Sequence, residues 1–102
     1  MYTLVYTLHR IIIAPSAQAD LDALRPFDRN RVMEAMGRSL RHEPAVPSAH
    51  RKLLSPHPRI EALGVAWELR VGEFRVYYRV EGRQVAVLMV RRKGRKRTEE
   101  TL

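Results

Sequence analysis

The chain has 102 residues, of which 45% are hydrophobic and 29% charged, and this composition indicates one globular domain over residues 1–102 rather than a disordered segment. It has no cysteine, which excludes a disulfide framework and a thiolate metal site. The formal charge of +8 indicates acidic partners, most commonly nucleic acid, otherwise an acidic protein segment or an anionic membrane surface.

The N-terminus lacks the features of a secretion signal, and no apolar run is long enough to cross a bilayer. We therefore expect a cytoplasmic location and no membrane partner. Residues 2–13 are rich in Thr, Val, Tyr and Ile, which favours a β-strand that ends before Pro15. Strand character is clearest over 9–13, and residues 1–8 are interpreted as an N-terminal extension or as an edge that pairs with another chain.

Two helices are predicted next. Ser16 is expected to cap the first, over residues 17–24, because a serine hydroxyl can accept a hydrogen bond from a free N–H of the first turn. Pro26 suits the first turn of the second, which is expected to end near His42, before Glu43-Pro44. The short link predicts an antiparallel helical hairpin that lies across a sheet.

Four prolines mark residues 43–63 as an irregular connection, in which Lys52 is placed to reach a ligand. His50 and His57 also lie here and are candidates for a general acid. The four histidines of the chain show no metal-ligand spacing, so neither a metal nor a cofactor is predicted.

Three strands joined by two glycine turns are predicted between Trp67 and Val90. Apolar and polar side chains alternate as far as Val80, so one face of the sheet should be apolar and the other cationic. Trp67 is assigned to the core. The predicted fold is α+β in the order β-α-α-β-β-β: an N-terminal strand, a helical hairpin and a three-stranded antiparallel meander, with the helices packed on one twisted sheet.

Positive charge is concentrated in the last third of the chain. Residues 66–97 carry ten basic side chains and three acidic ones, and residues 91–102 are predicted to form a basic tail. A sheet with one cationic face that continues into such a tail suits a polyanion.

The pattern Leu-Arg-x-Gly-x-aromatic-Arg-x-x-Tyr, from Leu69 to Tyr78, resembles the RelE/ParE superfamily of bacterial and archaeal toxins. Ala-Pro-Ser-Ala at 14–17 is a weaker companion, and the resemblance extends from about His9 to Leu102. It implies a small α+β fold and the toxin component of a toxin–antitoxin system. It also implies a cognate antitoxin as partner, in a toxin–antitoxin hetero-oligomer, whose flexible segment covers the basic face.

The RelE branch of the superfamily implies a metal-independent endoribonuclease that cuts mRNA on the ribosome and so inhibits translation. The 2′-hydroxyl of the RNA attacks the neighbouring phosphate, and arginines stabilise the charge that develops there. The arginines of the family fall on Arg75 and Arg95. Glu68 is the candidate general base, since alternation places it on the face of Arg70 and near Arg75 across the turn.

Two departures from the RelE pattern keep other interpretations open. Ala66 and Glu68 replace two lysines of the best-known branch, and Thr101 stands where that branch has a tyrosine that stacks on a base. A strand glutamate among arginines is also more often a solvated cross-strand partner than a base. The alternatives are a ParE-like inhibitor of DNA gyrase, a non-catalytic RNA- or ribosome-binding module, and a decayed toxin that still binds its antitoxin.

The partners expected besides the antitoxin are the ribosome and mRNA. Tyr77, on the cationic face, is interpreted either as a base-stacking residue or as merely exposed. The predicted RNA-binding residues are Lys52, Arg70, Tyr77, Arg79, Arg91, Lys93, Lys96 and Arg97.

Overall fold

A computed structural model describes residues 8–94, Thr98 and Leu102. Within them the strands are β1 (Arg10–Ile13), β2 (Arg51–Leu53), β3 (Trp67–Val71), β4 (Phe74–Glu81) and β5 (Gln84–Arg92), and the helices are α1 (Pro15–Asp22), α2 (Pro26–Leu40) and α3 (Pro58–Leu63). The strands form one sheet in the order β1-β5-β4-β3-β2. No helix in this part of the chain is both long and apolar enough to cross a membrane. The predicted α+β architecture, with a strand, two helices and a three-stranded meander, is confirmed.

The connection predicted to be irregular contains two regular elements. β2 pairs antiparallel with β3, and α3 follows it. His57 caps α3, because its Nδ1 accepts a hydrogen bond from the backbone N–H of Arg59 at 3.2 Å. Gly64 ends the helix with a φ of 72°, which a residue without a Cβ adopts at little cost. A strand of three residues and a helix of six, set among prolines, leave no periodicity to detect.

The helical hairpin differs from expectation at its ends. α1 begins at Pro15 and its N-cap is Ala14, so the prediction that Ser16 caps the helix is wrong. The Ser16 hydroxyl instead donates to the backbone carbonyl of Leu88 at 2.7 Å. α2 begins at Pro26, as predicted, and ends at Leu40, two residues before the predicted end.

The main core lies between the helical hairpin and one face of the sheet. Leu21 and Met36 from the helices meet Leu69, Val76 and Val87 from the strands there. Trp67 belongs to this core, as predicted, at 8% exposure. These buried apolar side chains are the main source of the free energy that holds the helices on the sheet.

The opposite face of the sheet, called here the α3 face, carries a second apolar cluster. Leu54, Ile60 and Val65 pack there on Tyr77 and Met89. The prediction of a simply cationic face is therefore wrong, because α3 and the residues on either side of it cover its centre.

β1 does not pair with its neighbour in sequence but lies parallel to β5, with Ile12 opposite Ala86. Further along β5, Tyr77 of β4 pairs with Met89 and Tyr78 pairs with Val87, so Leu88 is an extra residue in a β-bulge. Beyond β1 the edge of β5 would be open. α1 closes it, since Asp20 Oδ2 accepts a hydrogen bond from the N–H of Val90 at 3.0 Å.

Candidate functional site

The candidate site is built on a row of side chains that crosses three strands. Lys52 of β2 lies opposite Glu68 of β3, and Glu68 lies opposite Tyr77 of β4. Side chains that are directly opposite in an antiparallel pair lie on one face of the sheet. All three therefore project on the α3 face, away from the helical hairpin.

Glu68 is fully buried at the centre of this row. Its Oε1 lies 2.9 Å from Nε of Arg75 and 3.8 Å from Nε of Arg70, and its Oε2 accepts a hydrogen bond from the Thr98 hydroxyl at 2.9 Å. The Nε–H bond of Arg75 does not point at Oε1 of Glu68, so this contact is an ion pair rather than a well-aligned hydrogen bond. The interpretation of Glu68 as a solvated cross-strand partner is wrong, because Thr98 covers it.

Arg75 is held in place from both sides. Its Nη1 donates to the carbonyls of Gly72 at 2.7 Å and of Phe74 at 2.9 Å, while Nε faces Glu68. Its side chain keeps 16% of its surface exposed. Alternation along the strands correctly predicts that Glu68 and Arg75 are neighbours.

Tyr77 is fully buried, so the prediction that it is exposed for base stacking is wrong. Burial, and secondarily the Glu68 carboxylate, raise the pKa of Tyr77 to about 12, because both disfavour the phenolate. The hydroxyl lies next to Thr98 but makes no well-formed hydrogen bond with any described residue.

A pocket of about 300 Å³ opens beside this row. Its lining is Lys52, Leu54, Ser55, Pro56, His57, Ile60, Lys93 and Thr98. The Nζ of Lys93 donates to the Thr98 hydroxyl at 3.3 Å, which places an ammonium group next to the cover of Glu68. Two lysines and one histidine therefore converge on one opening.

His57 is not among the site residues predicted from the sequence, although it is singled out as a candidate acid. Because its Nδ1 accepts from the Arg59 N–H, the neutral imidazole carries its proton on Nε2. A local signal could have predicted that His57 caps a helix, because it directly precedes Pro58, and proline is common at the first position of a helix.

Several predicted RNA-binding residues lie elsewhere or are already paired. Arg79 lies 2.7 Å from Glu81, and Arg91 pairs with Asp20 at the edge of β5. Arg70 lies 3.8 Å from Glu68 and lines two hollows other than this pocket. The predicted residues Arg95, Lys96 and Arg97 lie outside the described residues, as does Thr101.

The described part of the chain contains no group of His, Asp and Glu side chains that could hold a metal ion. The polar groups of the site are instead cations around a buried anion. Such a set can bind a phosphodiester, stabilise charge that develops on it and supply a proton.

Comparison with known proteins identifies a family. Residues 11–97 match the family described as the ParE toxin of the type II toxin–antitoxin system parDE. No curated protein matches the sequence.

Two solved structures are similar in fold. The toxin–antitoxin complex RelBE2 of Mycobacterium tuberculosis contains a chain that is 27% identical, with a TM-score of 0.67 over 85% of this chain and 93% of that one. The archaeal RelE–RelB complex of Pyrococcus horikoshii contains a chain that is 20% identical, with a TM-score of 0.66 over 87% of this chain and 99% of that one. The second likeness concerns the fold alone.

Proposed function

We propose that this chain, which belongs to the ParE toxin family of type II toxin–antitoxin systems, inhibits translation as a metal-independent endoribonuclease that cuts mRNA on the ribosome. The observation that carries the proposal is the convergence of Lys52, His57 and Lys93 on one pocket. Thr98 also lines this pocket, and its hydroxyl bonds to Glu68, the partner of Arg75. The likeness to the RelBE2 chain, at 27% identity, supports it.

The pocket offers a substitute for the lysines that β3 lacks. Ala66 and Glu68 occupy those positions, but Lys52 lies directly opposite Glu68 on the adjacent strand, and Lys93 follows β5. Two ammonium groups beside a phosphodiester favour the ionised 2′-hydroxyl and the additional negative charge of the transition state. The cationic role is thus kept while its residues come from other strands.

In the proposed reaction the 2′-oxygen bonds to phosphorus as the bond from phosphorus to the 5′-oxygen breaks, and a cyclic phosphate forms. The proton of the 2′-hydroxyl leaves to water. The Lys93 ammonium donates a proton to the departing 5′-oxygen and becomes a neutral amine, a role that typically contributes about 10²- to 10⁴-fold to the rate. The Nε2–H of the neutral His57 imidazole donates a hydrogen bond to the same oxygen.

Glu68 acts as a positioning residue in this proposal rather than as the base. A carboxylate without exposed surface cannot reach a 2′-hydroxyl, whereas its ion pair orients Arg75. The bonds that Arg75 makes to described residues use Nε and Nη1, which leaves Nη2 for a phosphate oxygen.

We also propose a cognate antitoxin as partner, since both similar structures are complexes of a toxin with its antitoxin. A ParE-like inhibitor of DNA gyrase is the second candidate function. It is favoured by the family that matches and by the absence of lysine from β3.

Cleavage mapping by primer extension in a purified translation system tests the proposal. Wild-type protein should cut within codons in the ribosomal A site, and neither a ribosome-free reaction nor Lys52→Gln protein should give these cuts at the wild-type rate. Lys93→Gln should reduce the rate by about 10²-fold or more, since the proton donor is lost.

Arg83→Gln is the matched control, because Arg83 is exposed at the β4–β5 turn, away from the pocket, and this variant should cut like wild type. Intact mRNA with a wild-type protein that still stops growth would contradict the proposal. Gyrase supercoiling would then be the activity to assay.

A further inference from the structure

Three hollows follow one another around the β2 edge of the sheet. The first is the pocket of Lys52, His57 and Lys93 on the α3 face. The second, of about 400 Å³, is called the β2 hollow, and Lys52 and Arg70 both line it. The third, of about 390 Å³, is called the α2–β3 hollow and lies on the helix side of the sheet. Lys52 is shared by the first two and Arg70 by the last two, so each hollow is adjacent to the next.

The α2–β3 hollow is strongly cationic. Arg31 and Arg38 enter it from α2 and Arg70 enters it from β3, with His50 beside them. Arg31 is held with its guanidinium 5.5 Å from the centre of the Phe74 ring. Its fork also lies against Gly72, where an added Cβ would come within 3.1 Å of Nη2. The turn between β3 and β4 therefore leaves room for this arginine.

Among the described residues, Arg31 and Arg38 lack an acidic partner, as Arg10 and Arg83 do, while Arg70 lies 3.8 Å from Glu68. Arg79, Arg91 and Arg92, in contrast, each have an acidic partner. Among the residues that the structure describes, no Asp or Glu lines any of the three hollows. Guanidinium groups that outnumber the nearby carboxylates repel one another, so the arrangement is suited to a bound polyanion.

We propose that the three hollows form one track for the sugar–phosphate backbone of a single-stranded RNA, which runs from the Lys52–Lys93 pocket around the β2 edge into the α2–β3 hollow. The proposal rests on the proposed function, because it names the path of the substrate beyond the site of cleavage.

RNA fits the hollows better than an acidic peptide does. In the part of the chain that the structure describes, the apolar side chains that line the α2–β3 hollow are Ala35 and Val71, which offer no deep pocket for an anchoring peptide side chain. The planar forks of Arg31, Arg38 and Arg70 match two phosphate oxygens each. The RNA should be single-stranded, because a stiff duplex cannot bend around the edge of one sheet.

Binding of fluorescein-labelled 2′-O-methyl oligouridine tests the track without cleavage, since this RNA lacks the nucleophile. Affinities would be measured by anisotropy over a range of salt, for oligonucleotides of about 4 and about 12 nucleotides. The double variant R31Q/R38Q removes two phosphate contacts far from the pocket. It should lower the slope of log affinity against log salt by about 1.4 for the longer RNA and leave the shorter one unchanged.

The double variant R10Q/R83Q is the control, because it removes the same charge at the opposite edge of the sheet, where the Arg10 N–H bonds to the Arg83 carbonyl. It should leave both slopes as in wild type. If the two double variants lowered the salt slope equally, the proposed track would be wrong and the effect would be one of overall charge.

An unchanged slope in R31Q/R38Q would also overturn the track. If that variant instead weakened binding of labelled poly-glutamate alone, the occupant would be an acidic protein. This test is independent of the test of cleavage. If R31Q/R38Q changes the salt slope as expected but the wild-type protein cuts no mRNA, only the proposed cleavage is contradicted. Cleavage without the length-dependent slope contradicts only the track.

Discussion

Glu68 and Arg75 show what a single buried charge does in a small domain. Removing a carboxylate and a guanidinium from water costs several kcal/mol per ion, and only close partners offset that cost. Glu68 has such partners in Arg75 and the Thr98 hydroxyl. Alternation along β3 and β4 predicts the first contact. It cannot predict the second, because Thr98 comes from 30 residues further along the chain.

We expect Arg75→Ala to lower the free energy of unfolding by about 3–5 kcal/mol, because it leaves the Glu68 carboxylate buried without its main cation. The double variant E68Q/R75A should recover a large part of this loss, since it removes the charge that is left over. Urea unfolding followed by circular dichroism measures both. A double variant as unstable as the single one would show that the pair does not control stability. Because Arg75→Ala is expected to destabilise the fold, a loss of activity in this variant alone does not prove that Arg75 takes part in catalysis.

Tyr77 makes stability sensitive to alkaline pH. Since burial raises its pKa from 10.0 to about 12, the folded protein keeps the phenol proton after the unfolded chain has lost it. The contribution is complete below pH 10 and is lost as the pH rises from about 10 to about 12. Two pKa units correspond to about 2–3 kcal/mol.

The free energy of unfolding, measured with urea, should therefore fall less between pH 8 and pH 11 in Tyr77→Phe than in wild type. Burial also raises the pKa of Tyr78, so part of the alkaline loss should persist in this variant. Identical pH dependence in the two proteins would contradict the assignment to Tyr77.

The longer elements were predictable from the sequence and the short ones were not. Alternation marks β3 and β4, and a proline at the start of α2 marks its first turn. β2 and α3 are too short for either period to show. The prediction that Ser16 caps α1 fails because N-cap propensity is a local signal. The partner of its hydroxyl is the carbonyl of Leu88, in the bulge of a strand distant in sequence.

α1 closes the open edge of β5 through Asp20, which serves both the Val90 N–H and Arg91. Asp20→Ala should cost about 1–3 kcal/mol of unfolding free energy, because a partly buried N–H and a guanidinium lose their acceptor. Asp22→Ala is the matched control on the same helix. Asp22 is exposed, so its removal should change stability by less than about 0.5 kcal/mol. Thermal unfolding of the two variants compares them directly, and equal effects would contradict the role of Asp20.

Across the whole molecule, the candidate site depends on contacts between distant parts of the chain. Lys52 and Lys93 are recognisable from the sequence as basic residues, but their shared pocket is not. It exists because β2 adds to the sheet beside β3 and because Thr98 lies next to Lys93 on the α3 face. Neither event leaves a local pattern.

The uneven charge also predicts how a cognate antitoxin should bind. We expect the complex to be tight at about 50 mM salt and at least tenfold weaker at about 500 mM, because ions screen the cationic surface from an acidic segment. Calorimetric titration at the two salt concentrations measures this. Equal affinity at both would show that apolar grooves rather than charge hold the antitoxin.

The parallel pairing of β1 with β5 has a consequence for synthesis of the protein. Ile12 finds its partner Ala86 only after about seventy further residues have been made, which takes roughly 4 to 15 s on a ribosome. Until then the first strand and the helical hairpin have no β5 to pack on. A message that ends before Gln84 therefore yields a fragment without a closed sheet or a formed pocket, and the cell that makes such a fragment is not exposed to a working toxin.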